Sequence, residues 1–482
     1  MNQEYEELFG HLEPLIPLKE TGAIVCDNAT RADWNEVCEA RAKTYICGNP
    51  PYLGSKQLDD SHQSDFDAYF DGQKYPKEMD YISLWFLKAA DWIGDVGEAA
   101  FVSTNSVTQG QHVAMLWPKI FEKSSAISFA YTSFLWGNNA VGNAGVTCVV
   151  IGLCPKDSNR TRLLFSEDSV REVAHINPYL VPSEDNTTVG KASQPLAIRP
   201  KMTFGSKAID GGHLVLNADE REQLLAAPEV SPTVVRPFIG AKELLRAEQR
   251  YCLWLDADSA ESAMKNPLVE ARVDRVETFR LSSSNRQTIA AAETPHALAV
   301  ITHQDLPCIA VPRHSSERRS FVPMGFYPAG TVISDANFAV YGASPWLLAL
   351  LQSSMHMTWV RSVGGRMKSD YRYSNTLCYN TFPFPEIGDQ TRAEMEVQGL
   401  SLLAARERWP DRSLAELYDP DKMPANLREA HEANDALVDS LYRTKPFGSD
   451  TDRMEMLLAM YRDLVAEADA VKSKKSTKKG GK

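Results

Sequence analysis

Between residues 20 and 165, short apolar runs alternate with stretches of helical period, and this narrows the choice of fold more than any other feature. Ala23-Ile24-Val25-Cys26 and Tyr45-Ile46-Cys47 read as strands that end in polar turns. From Tyr81 to Ile93 the apolar positions 82, 85, 86, 89, 92 and 93 recur at the spacing of one helix face. Ala99-Ala100-Phe101-Val102 is strand-like again and stops at Ser103-Thr104-Asn105. Val146 to Leu153 is a continuous apolar run, fit for a buried strand. Strands alternating with helices predict an α/β sheet.

A chain of 482 residues exceeds one such unit and predicts two or three domains. Residues 1–165 form the first. Residues 166–199, rich in Pro, Ser, Asn and Thr, read as a linker. Residues 200–386 mix short strands and helices with arginines and aromatics, an α+β second domain. Residues 387–470 are helical in pattern, and 471–482 form a lysine-rich tail predicted to be disordered.

The net charge of −12 argues against a protein that coats nucleic acid through its overall charge. Any DNA contact must use a local basic surface. No apolar run approaches 18 residues, and the opening MNQEYEELFG is too acidic and polar for a secretory signal. The eight cysteines contain no Cys-x-x-Cys pair, so no metal site is expected; reduced, buried thiols and a cytoplasmic location are.

The run Ile46-Cys47-Gly48-Asn49-Pro50-Pro51-Tyr52 begins as a strand and ends in a turn no strand would choose. Open α/β sheets bind ligands at the carboxyl edge of their strands. Pro50 and Pro51 have fixed φ and no N–H, and each restricts the residue before it. The loop is therefore stiff, and its carbonyl oxygens have few internal donors. With the Asn49 side-chain oxygen it can accept both hydrogens of one NH₂ group. Tyr52 adds an aromatic face suited to a planar base. An exocyclic amine on a base is a weak nucleophile because its lone pair is delocalised. Two acceptors that hold both hydrogens out of the ring plane favour a tetrahedral nitrogen able to attack a methyl donor, so catalysis is mainly orientation.

The wider surroundings point to a family. ICGNPPYLGSKQ resembles the motif of S-adenosylmethionine-dependent methyltransferases acting on adenine N6 in DNA. IPLKETGAIVCDNATRADW, AAFVSTNSVTQGQHVAMLW, IAVPRHSSERRSFVPMGF and GGRMKSDYRYSNTLCYNTFPFP resemble successive blocks of the MmeI-like (Type IIL) restriction–modification enzymes, and the resemblance runs from about residue 8 to 462. It implies a Rossmann-like methyltransferase core followed by a target recognition domain and a helical segment. It implies that Asn49, Pro50, Pro51 and Tyr52 hold a flipped-out adenine, with Phe134 or Trp136 as the second aromatic face. It implies that Asp27 and Asn28 contact the methyl donor, while Asp80 and Tyr81 help line the donor or target pocket.

The resemblance is incomplete. No Gly-x-Gly-x-x-Gly precedes a helix, and GNNAVGNAG at 137–145 precedes a strand. The family's donor-binding loop and nuclease would lie upstream of Met1. This predicts a chain equivalent to the carboxyl-terminal part of a longer enzyme, with an upstream-encoded chain as a candidate partner. Residues 200–386 are the expected reader of double-stranded DNA. Arg313, Ser315, Glu317, Arg318 and Arg319 carry groups that recognise base edges, while Lys368, Asp370 and Arg372 combine phosphate-binding and orienting groups. The alternative is a DNA-recognition fragment that needs a partner chain to bind S-adenosylmethionine.

Overall fold

The computed structural model describes residues 24–41, 43–136, 146–197, 199–367 and 369–479, with only the backbone for 471–479. Its first sheet is built from β1 (Tyr45–Gly48), β2 (Glu98–Thr104), β3 (Ser125–Trp136), β4 (Val146–Pro155), β5 (Arg162–Phe165) and β6 (Val170–Val173), in the order β1-β2-β4-β3-β5-β6. β1 runs parallel to β2, and β4 lies antiparallel between β2 and β3. The apolar run from Val146 becomes the buried centre, with Val149, Ile151 and Leu153 fully covered.

Three helices accompany the sheet: α1 (Asp60–Phe70), α2 (Ser83–Ile93) and α3 (Gly110–Phe121). In α3, Val113, Leu116, Trp117 and Ile120 repeat at helical spacing and are all fully buried. α2 has lost nearly all polar positions and is buried around most of its circumference.

The second domain uses β7 (Met202–Phe204), β8 (Val215–Leu216), β9 (Val235–Ile239), β10 (Tyr251–Leu253), β11 (Cys308–Pro312), β12 (His314–Ser315), β13 (Gly325–Tyr327), β14 (Val332–Ile333), β15 (Asn337–Tyr341), β16 (Gly365–Met367) and β17 (Asp370–Arg372). They form sheets of order β14-β9-β10-β8, β13-β11-β15-β7 and β12-β17-β16. Leu214, Val234, Cys252 and Val273, the last on α4 (Pro267–Leu281), belong to a separate core. Strands β11, β15 and β17 share the core of the first sheet, together with α5 (Pro345–Leu351), α6 (Ser354–Val363), α7 (Asp389–Glu407), α8 (Ala425–Tyr442) and α9 (Asp450–Lys479).

A buried polar network ties the last helices to the second domain. Arg406 donates to Met324 O at 2.8 Å and Gln352 Oε1 at 2.7 Å, and Tyr418 Oη lies 2.9 Å from His431 Nε2.

Three expectations change. Residues 24–26 form no strand, and Ile24 and Val25 are exposed, lacking the sheet neighbour that would bury them. The stretch read as a linker begins by completing the first sheet, because β6 lies within it and pairs with β5. The lysine-rich tail is helical as far as Lys479, continuing α9 through residues with good helix propensity. Of the eight free cysteines, Cys148, Cys154, Cys252, Cys308 and Cys378 are buried, in keeping with the expectation of several buried thiols, and Cys26, Cys38 and Cys47 are exposed. Among the described residues no helix is long and apolar enough to cross a membrane.

Candidate active site and DNA-reading surface

β1 delivers the proline turn to the carboxyl end of a parallel strand pair. Pro50 is buried and anchors the turn, whereas Asn49 and Pro51 are exposed and Tyr52 is half-buried. The Tyr52 hydroxyl donates to Asn49 Oδ1. Burial, and then the neighbouring Cys148 thiol, push the Tyr52 phenol up to about 12, so it remains a protonated donor near neutral pH. Cys148 on β4 is the register partner of Phe134 on β3, so Tyr52 and Phe134 share one neighbour at the same end of the sheet. Phe134 and Trp136 have ring centroids 6.3 Å apart. Tertiary pairing thus gathers Asn49, Pro50, Pro51, Tyr52, Phe134 and Trp136 around one sheet end.

The loop after Tyr52 is pinned from below. Tyr81 N donates to Leu53 O at 2.8 Å, and Ser55 N donates to Asp80 Oδ1 at 3.0 Å. Behind Asp80 sits buried His112, whose Nε2 lies 2.7 Å from Ser83 Oγ and accepts from Asp80 N at 3.3 Å. Burial pushes the His112 imidazole below its usual range, against the opposing pull of Asp80. A neutral ring accepting at Nε2 fits these contacts. Asp80 therefore pins the loop while also lining the neighbouring cleft.

Asn28 lies in a turn, with its Oδ1 accepting from Thr30 N at 2.9 Å. Its Nδ2 donates to both oxygens of Asp65 at 3.2 Å, and Arg31 Nε donates to Asp65 Oδ1 at 2.6 Å. The hydroxyl of buried Tyr81 donates to Asp65 as well. Burial opposes ionisation of Asp65, but these hydrogen bonds outweigh it and hold the carboxyl below its ordinary range. Tyr81, expected beside a pocket, is used internally instead. Asp65 went unnoticed in the sequence: no spacing rule connects it with Asn28, 37 residues away.

These residues fit part of a nucleoside-bearing cofactor. Exposed Asp27, whose Oδ1 accepts from Asn28 N at 2.7 Å, offers polar groups suited to a ring or ribose. Among the described residues no glycine-rich turn leads into a helix beside β1 to cradle a charged amino-acid moiety. The glycine cluster at 137–145 lies outside the described residues.

In the second domain, β17 sits between β12 and β16. This pairing puts the two arginine-rich segments, far apart in sequence, on one small sheet. Asp370 Oδ1 accepts from Glu317 N at 3.3 Å, and Glu317 stands 3.7 Å from Arg366 Nη1. Arg313 donates to Asp335 O at 3.1 Å and stacks over Phe204. Arg318 reaches across to Asp421 of the helical segment, 2.5 Å away. Arg319 is partly sunk, and burial lowers its affinity for a proton. Ser315 is buried, and its hydroxyl has no partner among the described residues. Beneath the sheet, Tyr371 and Tyr373 are buried in the main core. Arg372 forms no ion pair among the described residues, and Lys368 lies outside them. His314 records the local field: partial burial, then Arg313 and Arg372, push its imidazole below the ordinary range. An acidic protein thus carries a locally positive face.

Residues 1–166 match the MmeI DNA-methyltransferase domain, residues 183–386 the MmeI target recognition domain, and residues 387–468 the MmeI C-terminal domain. Over 469 residues the chain is 41% identical to "DNA methyltransferase A" of Bacillus subtilis (strain 168), a match covering 96% of this chain and 53% of that protein. It is also similar to the solved structure of the Type IIL restriction–modification enzyme MmeI in complex with DNA. There the TM-score is 0.80 at 35% identity, covering 96% of this chain and 63% of that one. The chain spans about half the length of the curated relative. Domain by domain and in its tertiary structure, it belongs to the MmeI-like family of Type IIL restriction–modification enzymes.

Proposed function

We propose that this chain carries the target-base and DNA-reading parts of a site-specific DNA methyltransferase that modifies adenine at N6. The observation that carries the reading is the stiff Asn49-Pro50-Pro51-Tyr52 turn at a strand end, with Phe134 and Trp136 facing the same edge. S-adenosylmethionine, when bound, supplies an electrophilic methyl group. Asn49 Oδ1 and the carbonyl of Pro50 accept the two amine hydrogens of a flipped adenine and hold its nitrogen pyramidal. The base amine takes over the acceptor that Tyr52 now occupies, which frees the Tyr52 ring to stack on the base. Phe134 or Trp136 closes the other face. Asp27 and Asn28 hold the nucleoside half of the cofactor, with Asp65, Arg31 and Tyr81 fixing Asn28 in place.

The reading domain sets sequence choice. Arg313, Glu317, Arg318 and Arg319 meet base edges or phosphates, while Asp370 orients the sheet and Lys368 and Arg372 meet phosphates; Ser315, expected among the base readers, is buried and supports the sheet from within. Among the described residues β1 is an edge strand, with three of its four residues exposed. Parallel strands are normally paired and covered on both faces. We therefore place a further polypeptide segment on β1, one that brings additional strands and the missing cradle.

Incubation with mixed-sequence DNA and methyl-labelled S-adenosylmethionine, with and without such a segment supplied, tests the reading. N6-methyladenine is the expected product, and Asn49→Ala should lower its yield by about 10²–10³-fold while DNA binding persists. Label on cytosine, or full activity of Asn49→Ala, would sink the assignment. Calorimetry with S-adenosylmethionine separates the two forms of the proposal. Saturable binding by this chain alone favours a self-sufficient site, and absence of binding favours the partner-dependent fragment.

A further inference from the structure

A cleft of about 460 Å³ opens where the catalytic loop meets the reading sheet. One wall is Gly54–Gln57, directly after Tyr52; the opposite wall is Gly365, Arg366 and Arg372 of the β16–β17 hairpin. The floor is the start of α3, which no side chain caps. The hairpin wall and the floor are held close by a glycine contact. Gly110 has φ +63°, and a Cβ there would lie 3.1 Å from Gly365 Cα.

The charges lining the cleft do not cancel internally. Asp80 is occupied by Ser55 N and by His112, and Arg366 lies near Glu317. That leaves Lys56 and Arg372, neither with an ion pair among the described residues, against Glu78 alone. One buried donor, Arg366 Nε, also lacks a hydrogen-bond partner among the described residues, while Nδ1 of buried His112 stands 3.5 Å from Asp80 Oδ2. Unpaired cations, a spare guanidinium nitrogen and an uncapped helix start suit an anion on an extended strand.

We propose that this cleft clasps the phosphodiester backbone of the strand that carries the target base, with Lys56 gripping from the catalytic side and Arg372 from the reading side. The proposal rests on the DNA-methyltransferase reading above and adds a position for the strand between its two working parts. Lys56 shares a loop with the Asn49–Tyr52 turn, and Arg372 shares a hairpin with Asp370. The clasp therefore fixes the span from the base pocket to the reading sheet, so that correct seating of one edge presents the target nucleotide to the other.

The test is the salt dependence of binding to a mixed-sequence duplex, read by fluorescence anisotropy. Each phosphate contact contributes about 0.9 to the slope of log K against log salt. Lys56→Gln should reduce the slope by roughly that amount, Lys56→Arg should restore it, and Glu78→Gln should strengthen binding. Lys119→Gln, at the far end of α3, removes the same charge and should leave the slope unchanged. Lys56 is exposed, so its variants should melt like the parent chain. A slope unaltered by Lys56→Gln, with DNA binding intact, overturns the clasp and leaves the methyltransferase reading standing. Absence of DNA binding by the parent chain would overturn both.

Discussion

The catalytic turn leads into one wall of a cleft and the reading hairpin forms the opposite wall, and the two are held in place by different physics. The hairpin rests on aromatic burial: Tyr371 and Tyr373 belong to the main core, and His356 Nε2 lies 2.9 Å from the Tyr373 hydroxyl. The catalytic turn follows an edge strand that is largely exposed, and below Tyr52 it depends on polar pins through Asp80, His112 and Ser83. A hydrophobic footing depends little on what else binds. A polar footing at an open edge is more easily lost. The comparison teaches that, among the described residues, the hairpin is footed in the apolar core whereas the catalytic turn is footed on polar pins.

Substitutions can break or sharpen that contrast. Tyr373→Ala should do the most damage, costing about 3–5 kcal/mol of stability in chemical denaturation, as loss of a large buried ring does. A cost below 1 kcal/mol would remove the claimed difference between the two footings. Asn49→Ala should lower methyl transfer by about 10²–10³-fold, the scale for one lost orienting group, with unchanged denaturation. Gly110→Ala should come next. Its positive φ and the approach of Gly365 predict about 1–3 kcal/mol, together with weaker DNA binding as the hairpin wall parts from the floor. A variant as stable as the parent would show that the seam is loose. Asp80→Asn should cost about 1 kcal/mol in thermal melts but depress activity further by freeing Ser55; equal losses in both would mark Asp80 as merely structural.

The smallest effect concerns pH. Asp435 accepts from Ser354 N at 2.6 Å and so supports the start of α6, the helix that leads into the hairpin. Burial raises its carboxyl to about 6. The folded state therefore holds this proton more tightly than the unfolded chain, and the contribution to stability falls as pH rises from about 4 to about 6. Asp435→Asn should flatten that part of a melting-temperature profile. A profile identical to that of the parent chain would show that Asp435 does not drive it.

The sequence was most informative where one element carried its own pattern. The α2 periodicity, the buried β4 run and the proline turn could each be read from a few neighbouring residues. It was least informative where a residue's role depends on a distant partner. Ile24 and Val25 have strand composition but no neighbour to pair with among the described residues. Asp27 and Asn28 were picked out as ligand contacts, but the carboxylate that organises Asn28 is Asp65, on a helix without any local sign of it. Arg318 reads as a free cation in sequence and is engaged by Asp421 in the fold.

By itself, then, the sequence determined the chemistry available: a stiff acceptor turn, aromatic faces and arginine-rich segments, because backbone restriction and side-chain type are properties of single residues. Only the tertiary structure decided which of these act together. Strand pairing set Phe134 across from the neighbour of Tyr52, and brought the segment at 313–319 beside that at 365–372. A hydrogen bond from Ser55 N made Asp80 the pin beneath the loop. Register and close packing are fixed by long-range complementarity, and no window along the chain contains both halves of such a contact.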